Sequence, residues 1–155
     1  MILRPREIFD GATPSSNSVA AMNLLRLASF TGDRRYRDRV EAVFSAFAGY
    51  LTRAPTALPR MLSALDYRSD PPREIVLSGE PGEKQFESLR AAVFASPRLN
   101  RVVALADRGG SLEELSPLVR SRQPTPGKAV AYVCENFACR RPISDPIELR
   151  AALDG

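Results

Sequence analysis

Histidine and tryptophan are absent from this sequence. Without histidine, the chain lacks the commonest general base and the commonest metal ligand. A Ser-His-Asp or Cys-His site cannot be assembled within it. Cysteine is scarce, with only Cys134 and Cys139. Two thiolates without imidazole cannot close a four-ligand zinc site unless carboxylates or a second chain contribute. No metal and no cofactor is therefore expected. No apolar run approaches the roughly 20 residues that a membrane-crossing helix requires. The N-terminus, Met1-Ile2-Leu3-Arg4-Pro5-Arg6, has no long apolar stretch of the secretory type. The expected location is the cytoplasm, with no membrane partner.

Lysine is also rare. Of 22 basic residues only Lys84 and Lys128 are lysines, and 18 acidic residues leave a net charge of +4. The arginines are scattered along the chain. Their densest group, Arg34, Arg35, Arg37 and Arg39, is interrupted by Asp33, Asp38 and Glu41. A solvated helix face accounts for such a pattern, and no nucleic-acid-binding motif accompanies it, so nucleic acid is not expected as a partner. An apolar content of 44% and a charged content of 26% describe an ordinary globular chain. Its length suits one domain with a real core or two small pieces.

The first half reads as helical. Residues 17–31 are apolar on nearly every side, with Asn23, Arg26 and Ser29 as one narrow polar stripe. A helix of that kind belongs inside a larger structure. Ser15, Ser16 and Asn17 are good N-cap types, and Gly32 suits the position after a helix end. A second helix is predicted over 34–52, capped by Asp33, with Tyr36, Val40, Val43, Phe44, Phe47, Ala48 and Leu51 along one face. The short turn between them predicts an antiparallel hairpin. A third helix is expected over 58–67 with Met61, Leu62 and Leu65 inward. Ser69-Asp70-Pro71-Pro72 then marks a boundary.

The second half changes period. Residues 74–78, 101–105 and 129–134 are short runs of strand type. Residues 83–95 form an amphipathic helix with Phe86, Leu89, Val93 and Phe94 inward. Residues 111–121 offer a weaker helix interrupted by Pro117, and 146–153 a closing helix capped by Asp145 with Pro146 in its first turn. Alternating strands and helices predict a small, three-stranded, mainly parallel sheet with flanking helices. The expected class is α+β or α/β, with a helical segment over 1–70 and an α/β unit over 71–155.

Several segments carry a family resemblance. Asp10-Gly11-Ala12-Thr13-Pro14-Ser15-Ser16-Asn17-Ser18-Val19-Ala20-Ala21 resembles a D-x-A-x-P-S-G-N-S-x-A-A segment of thioredoxin-domain-containing proteins related to spermatogenesis-associated protein 20. The likeness continues at Leu24–Leu27, Thr31–Asp33, Met61–Asp66, Glu74–Gly79 and Tyr132–Cys139, with Pro142 after them. Ser16 stands where that family usually has Gly. The resemblance implies a longer protein: a thioredoxin-like domain, then an α/α toroid of the six-hairpin glycosidase and epimerase type, then a segment like this one. It implies that residues 1–70 end the toroid, and that the missing regions are this chain's partners. Self-association through the apolar first helix is the alternative for the chain alone.

Three places are candidates for chemistry. Cys134 and Cys139 end a predicted strand at C-x4-C spacing. They can pair if the loop returns to about 5.5 Å between Cα atoms. A redox pair is one reading, and two small buried residues in a reducing compartment is the simpler one. Arg140 and Arg141 would favour a thiolate there and Glu135 would oppose it. Asp10, Ser15, Asn17 and Ser18 form the second candidate. They suit a hydroxylated ligand, with Asp10, Asn17 and Ser18 as catalytic candidates, but helix capping explains every one of these residue types. The third comprises the loops Ser78-Gly79-Glu80-Pro81-Gly82 and Asp107-Arg108-Gly109-Gly110. Neither carries a phosphate-binding motif, so each reads as a plain turn. The expected role is an accessory C-terminal segment without catalysis of its own. The alternatives are part of a carbohydrate-active enzyme or a redox module.

Overall fold

The computed structural model describes residues 7–70, 72–97, 99–106 and 112–154. The order of elements is α1 (Ser16–Thr31), α2 (Arg34–Arg53), a short 3-10 turn (Pro55–Ala57), α3 (Pro59–Ser69), β1 (Arg73–Ser78), α4 (Lys84–Ala95), β2 (Arg101–Ala106), β3 (Val130–Glu135), β4 (Ala138–Cys139) and α5 (Pro146–Asp154). The chain divides into two compact units. One comprises the residues through Ala28 together with Asp33–Asp70. The other comprises Ser29–Gly32 and the chain after Asp70. Among the described residues, no helix is long and apolar enough to cross a membrane.

In the helical unit, Asp33 caps α2, its carboxylate accepting the Arg35 N–H at 2.9 Å. Gly32, with φ at +71°, makes the turn before it, a conformation that costs glycine nothing. Ala21, Met22, Leu25, Val40, Phe44, Leu58, Met61, Ala64 and Tyr67 are buried. The Arg68 guanidinium joins α3 to α2. It pairs with Glu41 at 2.8 Å and lies over the Phe44 ring at 5.5 Å. Leu62, expected inward, is 36% exposed, because Met61, Ala64 and Tyr67 take the buried face of α3. The arginine-rich first turn of α2 is balanced locally, by Arg35–Asp33 at 2.6 Å and Arg34–Asp38 at 3.7 Å.

The second unit corrects the predicted sheet. Among the described residues it has four strands in the order β2-β1-β3-β4 and is mixed, not three-stranded and mainly parallel. Helix α4 carries the chain from β1 to a parallel β2. Strand β3 then pairs with the other edge of β1, antiparallel, with Val130 opposite Ser78. The reason is the connection. A parallel third strand needs a crossover that returns the chain to the far end of the sheet, usually a helix. The described part of this connection, 112–129, holds turns instead of the helix expected over 111–121. The chain therefore enters β3 at the end where β2 stopped.

One face of the sheet is closed by α4 and α5. Ile75, Leu77, Ala131 and Val133 pack there with Phe86, Leu89, Val93, Leu149 and Leu153. Asp145 caps α5, its carboxylate accepting the Ile147 N–H at 2.9 Å. Phe94, expected inward, is 57% exposed. Arg101 explains how it is tolerated. Its guanidinium donates to the Val93 and Ser96 carbonyls at 2.7 and 3.1 Å, at the end of α4, and covers the Phe94 ring at 5.4 Å. The opposite face carries Glu74, Val76, Ser78, Tyr132 and Cys134 by the alternation of strand side chains. All six residues of β1 are buried, as a central strand covered on both faces requires.

Candidate functional site

The site on this second face starts from a hairpin. Strands β3 and β4 are joined by Asn136 and Phe137, with φ at +50° and +65°. Two consecutive left-handed residues make a two-residue primed turn, whose twist matches that of paired strands. Asparagine adopts this conformation readily, and phenylalanine does so rarely. The turn is held from outside: buried Glu74 on β1 accepts the Phe137 N–H at 2.7 Å. Cys134 and Cys139 then face each other across the hairpin and form a disulfide, their Cα atoms 3.9 Å apart. The pair is thus a cross-strand bridge and not two separate core thiols, because the turn returns the chain directly. Strand β4, the register that aligns the sulfurs, escaped the sequence reading.

Cys134 is 1% exposed, whereas Cys139, on the edge strand, is only half-buried. The two sulfurs also differ in their neighbours. Arg122 reaches Cys139 from the turn segment before β3, with Nη2 2.8 Å from Sγ. The same guanidinium lies 5.2 Å from the centre of the Tyr132 ring. Its Nη1 donates to the Leu118 carbonyl, with the Arg120 carbonyl at 3.4 Å and the Pro117 carbonyl at 3.5 Å. The Arg122 carbonyl accepts the Ser78 hydroxyl at 2.9 Å, fastening this turn to the end of β1. Ser121, just before it, has φ at +60°, an uncommon conformation for serine. The cations named from the sequence take other roles: Arg140 lies 3.9 Å from Glu135, and Arg141 pairs with Glu148 at 2.7 Å. Glu135 also pairs with Arg73. Arg122 was missed because it is 17 residues from Cys139 and carries no local signal.

The second candidate group resolves into capping. Ser15 precedes α1, and its hydroxyl accepts the Ser18 N–H at 3.2 Å while lying 2.9 Å from the Ser18 hydroxyl. One oxygen of Asp10 accepts the Ser15 N–H at 2.8 Å, and the other accepts the Arg60 N–H at 2.8 Å, in the first turn of α3. One carboxylate therefore serves two helix starts. Burial pushes the Asp10 carboxyl up, but hydrogen bonds from Ser15, Ser18, Arg60 and Met61 together bring it below its ordinary value. Asn17 donates to the Glu7 carbonyl at 3.2 Å. Ser16, in place of the family's Gly, opens α1 without a left-handed backbone.

The Ser78–Gly82 loop is tied to helix α4. Glu87 accepts the Gly82 N–H at 3.1 Å. The Arg90 hydrogen bond, then this one, hold the Glu87 carboxyl below its ordinary value. Such a carboxylate occupies the place an anion would take. Asp107-Arg108-Gly109-Gly110 lies outside the described residues. Among the described residues, no group of three or more His, Cys, Asp or Glu side chains is placed to hold a metal ion.

No family model and no solved structure matches the chain. Spermatogenesis-associated protein 20 of Homo sapiens is 40% identical over 153 residues, covering 97% of this chain and 20% of that protein. The Mus musculus protein of the same name is 39% identical over 153 residues, covering 97% of this chain and 19% of its own length. An uncharacterized protein of Caenorhabditis elegans is 30% identical over 140 residues, or 90% of this chain. The chain spans about a fifth of the length of the curated relatives it matches. Over almost its whole length, it is homologous to one segment of the proteins named spermatogenesis-associated protein 20.

Proposed function

We propose that this chain is an accessory segment of a larger protein, and that its α/β unit contributes a reversible dithiol–disulfide at Cys134 and Cys139. In this reading the rest of the protein holds a thioredoxin-like domain and an α/α toroid. The helical unit completes the toroid, and the whole works in the cytoplasm. The observation that carries the redox role is the Arg122 guanidinium 2.8 Å from Cys139 Sγ. A positive charge beside a sulfur favours its thiolate, the reactive form in exchange.

A purely structural staple is the weaker account of this bond. The cysteines are five apart in sequence. Closing so short a loop is worth on the order of 2 kcal/mol, at the low end for disulfides. The primed turn and the Glu74 hydrogen bond already impose much of the same order. A reducing compartment also opens bonds that are not protected, so a cytoplasmic disulfide is usually transient or redox-sensing. The carbohydrate reading loses its carboxylate, because both oxygens of Asp10 are engaged at helix starts.

The test is differential alkylation with mass spectrometry on the full chain, across a glutathione redox series. Reversible interconversion of dithiol and disulfide in the folded chain is expected. Cysteines that stay reduced at every ratio, or a bond that opens only on unfolding, would overturn the proposal.

A further inference from the structure

The two sulfurs are not equivalent, and the difference gives the exchange a direction. Cys134 is 1% exposed, in the sheet interior. Cys139 is half-buried, on the two-residue edge strand β4, with Arg122 at its sulfur. We infer that Cys139 is the attacking thiol and Cys134 the resolving thiol of a site that reduces disulfides, with Arg122 as its positioning residue. The inference rests on the reversible bond proposed above, and deepens it by naming the substrate class and the order of attack.

The chemistry balances as follows. In the dithiol form, Cys139 loses its proton to solvent, and its thiolate attacks one sulfur of a substrate disulfide. A Cys139–substrate disulfide forms, and the other substrate sulfur leaves as a thiolate that takes up a proton. Cys134 then loses its proton and attacks Cys139 Sγ. The Cys134–Cys139 bond forms, and the second substrate sulfur leaves and is protonated. Two electrons pass from the dithiol to the substrate, which ends as two thiols. A low-molecular-weight dithiol or thiol couple is the reductant that restores the pair.

Attack at Cys139 needs only the edge strand to be reached, whereas direct attack by Cys134 needs substrate to enter the buried face. Resolution needs no movement of the strands, because the register already sets Cys134 opposite Cys139. The carbonyls of the 117–120 turn and the Tyr132 ring locate the Arg122 guanidinium. Among the described residues, charged groups at the hairpin include Glu74, engaged at the turn, and Glu135, held by Arg73 with Arg140 beside it. Among the described residues, Tyr132 also faces this group, its ring against the Arg122 guanidinium. Arg122 is the cation placed at the sulfur itself.

The experiment uses the reduced full chain and its single variants, with oxidised glutathione and a cyclic disulfide peptide as probes, followed by mass spectrometry from pH 5 to 10. Cys134→Ser is expected to accumulate a stable mixed disulfide at Cys139. Cys139→Ser is expected to react at least about tenfold more slowly, since a buried thiol is poorly accessible. Arg122→Gln is expected to slow Cys139 about tenfold near pH 7 and to move its pH–rate profile to higher pH, converging with wild type once the thiol is fully ionised. Arg122→Lys, which keeps the charge, is expected to restore most of the rate. Convergence at high pH also separates lost thiolate stabilisation from a damaged fold. Reaction with both probes, or with only one, supports the site and tells a small disulfide from a peptide disulfide as the preferred substrate. Reaction with neither overturns it. Equal reactivity of the two cysteines, or an unchanged profile in Arg122→Gln, also overturns it. The glutathione titration then reports separately whether the reversible bond itself survives.

Discussion

Replacing Asp10 with alanine removes one acceptor from two helix starts. The Ser15 N–H and the Arg60 N–H, each 2.8 Å from an Asp10 oxygen, lose their partner together. Loss of a single N-cap acceptor costs about 0.5–2 kcal/mol. Two such losses place Asp10→Ala at about 1–4 kcal/mol, and some access of water to the half-buried site argues against the upper end. Asp10→Asn keeps one oxygen and should lose about half as much. The pH dependence follows from the direction of the shift. The Asp10 carboxyl sits below its ordinary value in the folded chain. Its contribution is therefore complete above the unfolded value, about 3.9, and is lost as pH falls through the lower folded value. Urea denaturation of wild type and both variants at pH 7 and pH 3 measures this, with the helical signal followed by circular dichroism. The wild-type advantage should be present at pH 7 and shrink at pH 3. An Asp10→Ala variant within about 0.3 kcal/mol of wild type at pH 7 would refute the capping assignment.

Gly79→Ala should destabilise the α/β unit by at least about 2 kcal/mol in urea denaturation. Gly79 has φ at +152°, and a Cβ there would meet the Ala129 Cβ at 2.8 Å. Glu74→Ala should cost about 1–3 kcal/mol, because the Phe137 N–H loses its acceptor. Faster amide exchange at Phe137, read by hydrogen exchange, should report the loss. Arg101→Ala should cost about 1–2 kcal/mol and raise amide-exchange rates at the end of α4, where Arg101 donates to the Val93 and Ser96 carbonyls. Reducing Cys134–Cys139 should lower stability by about 2 kcal/mol while leaving the sheet folded. A near-ultraviolet circular dichroism spectrum that collapses on reduction would show that the bond has a larger structural role.

Much of the fold was legible because the signals were local. Asp33 and Gly32 mark the α1–α2 turn, Asp145-Pro146 marks the start of α5, and the apolar runs of β1, β2 and β3 sit close to their predicted bounds. What failed depended on partners distant in sequence. The direction of β3 follows from where the chain re-enters the sheet, and strand-forming residues carry no record of that. Phe94 is apolar at helical spacing, yet its exposure is tolerated because Arg101 covers it from the next strand. Strand β4 is only Ala138–Cys139, and its turn is Asn136-Phe137 instead of the Asn-Gly pair that announces a hairpin.

The candidate sites divide along the same line. Capping was the simpler account of Asp10, Ser15 and Ser18 because those residue types satisfy backbone donors close by. What the sequence lacked was the second donor, the Arg60 N–H, 50 residues away. For the cysteines the simpler reading was two small buried residues, and the structure pairs them as a disulfide. The cations next to them in sequence, Arg140 and Arg141, are engaged with Glu135 and Glu148 instead. The reactivity of the cysteines in the proposed mechanism depends on a turn far enough away to be invisible and rigid enough to bring a guanidinium to one sulfur. A left-handed serine before that arginine is the kind of local cost a chain retains when the direction of the next side chain matters. Arg122 and Ser121 therefore belong to the same question. A Ser121→Gly variant, free to adopt the turn without strain but also free to leave it, should loosen Arg122 and weaken its effect on Cys139. If the Cys139 pH–rate profile does not move in that variant, the turn does not control the guanidinium, and the strain has some other cause.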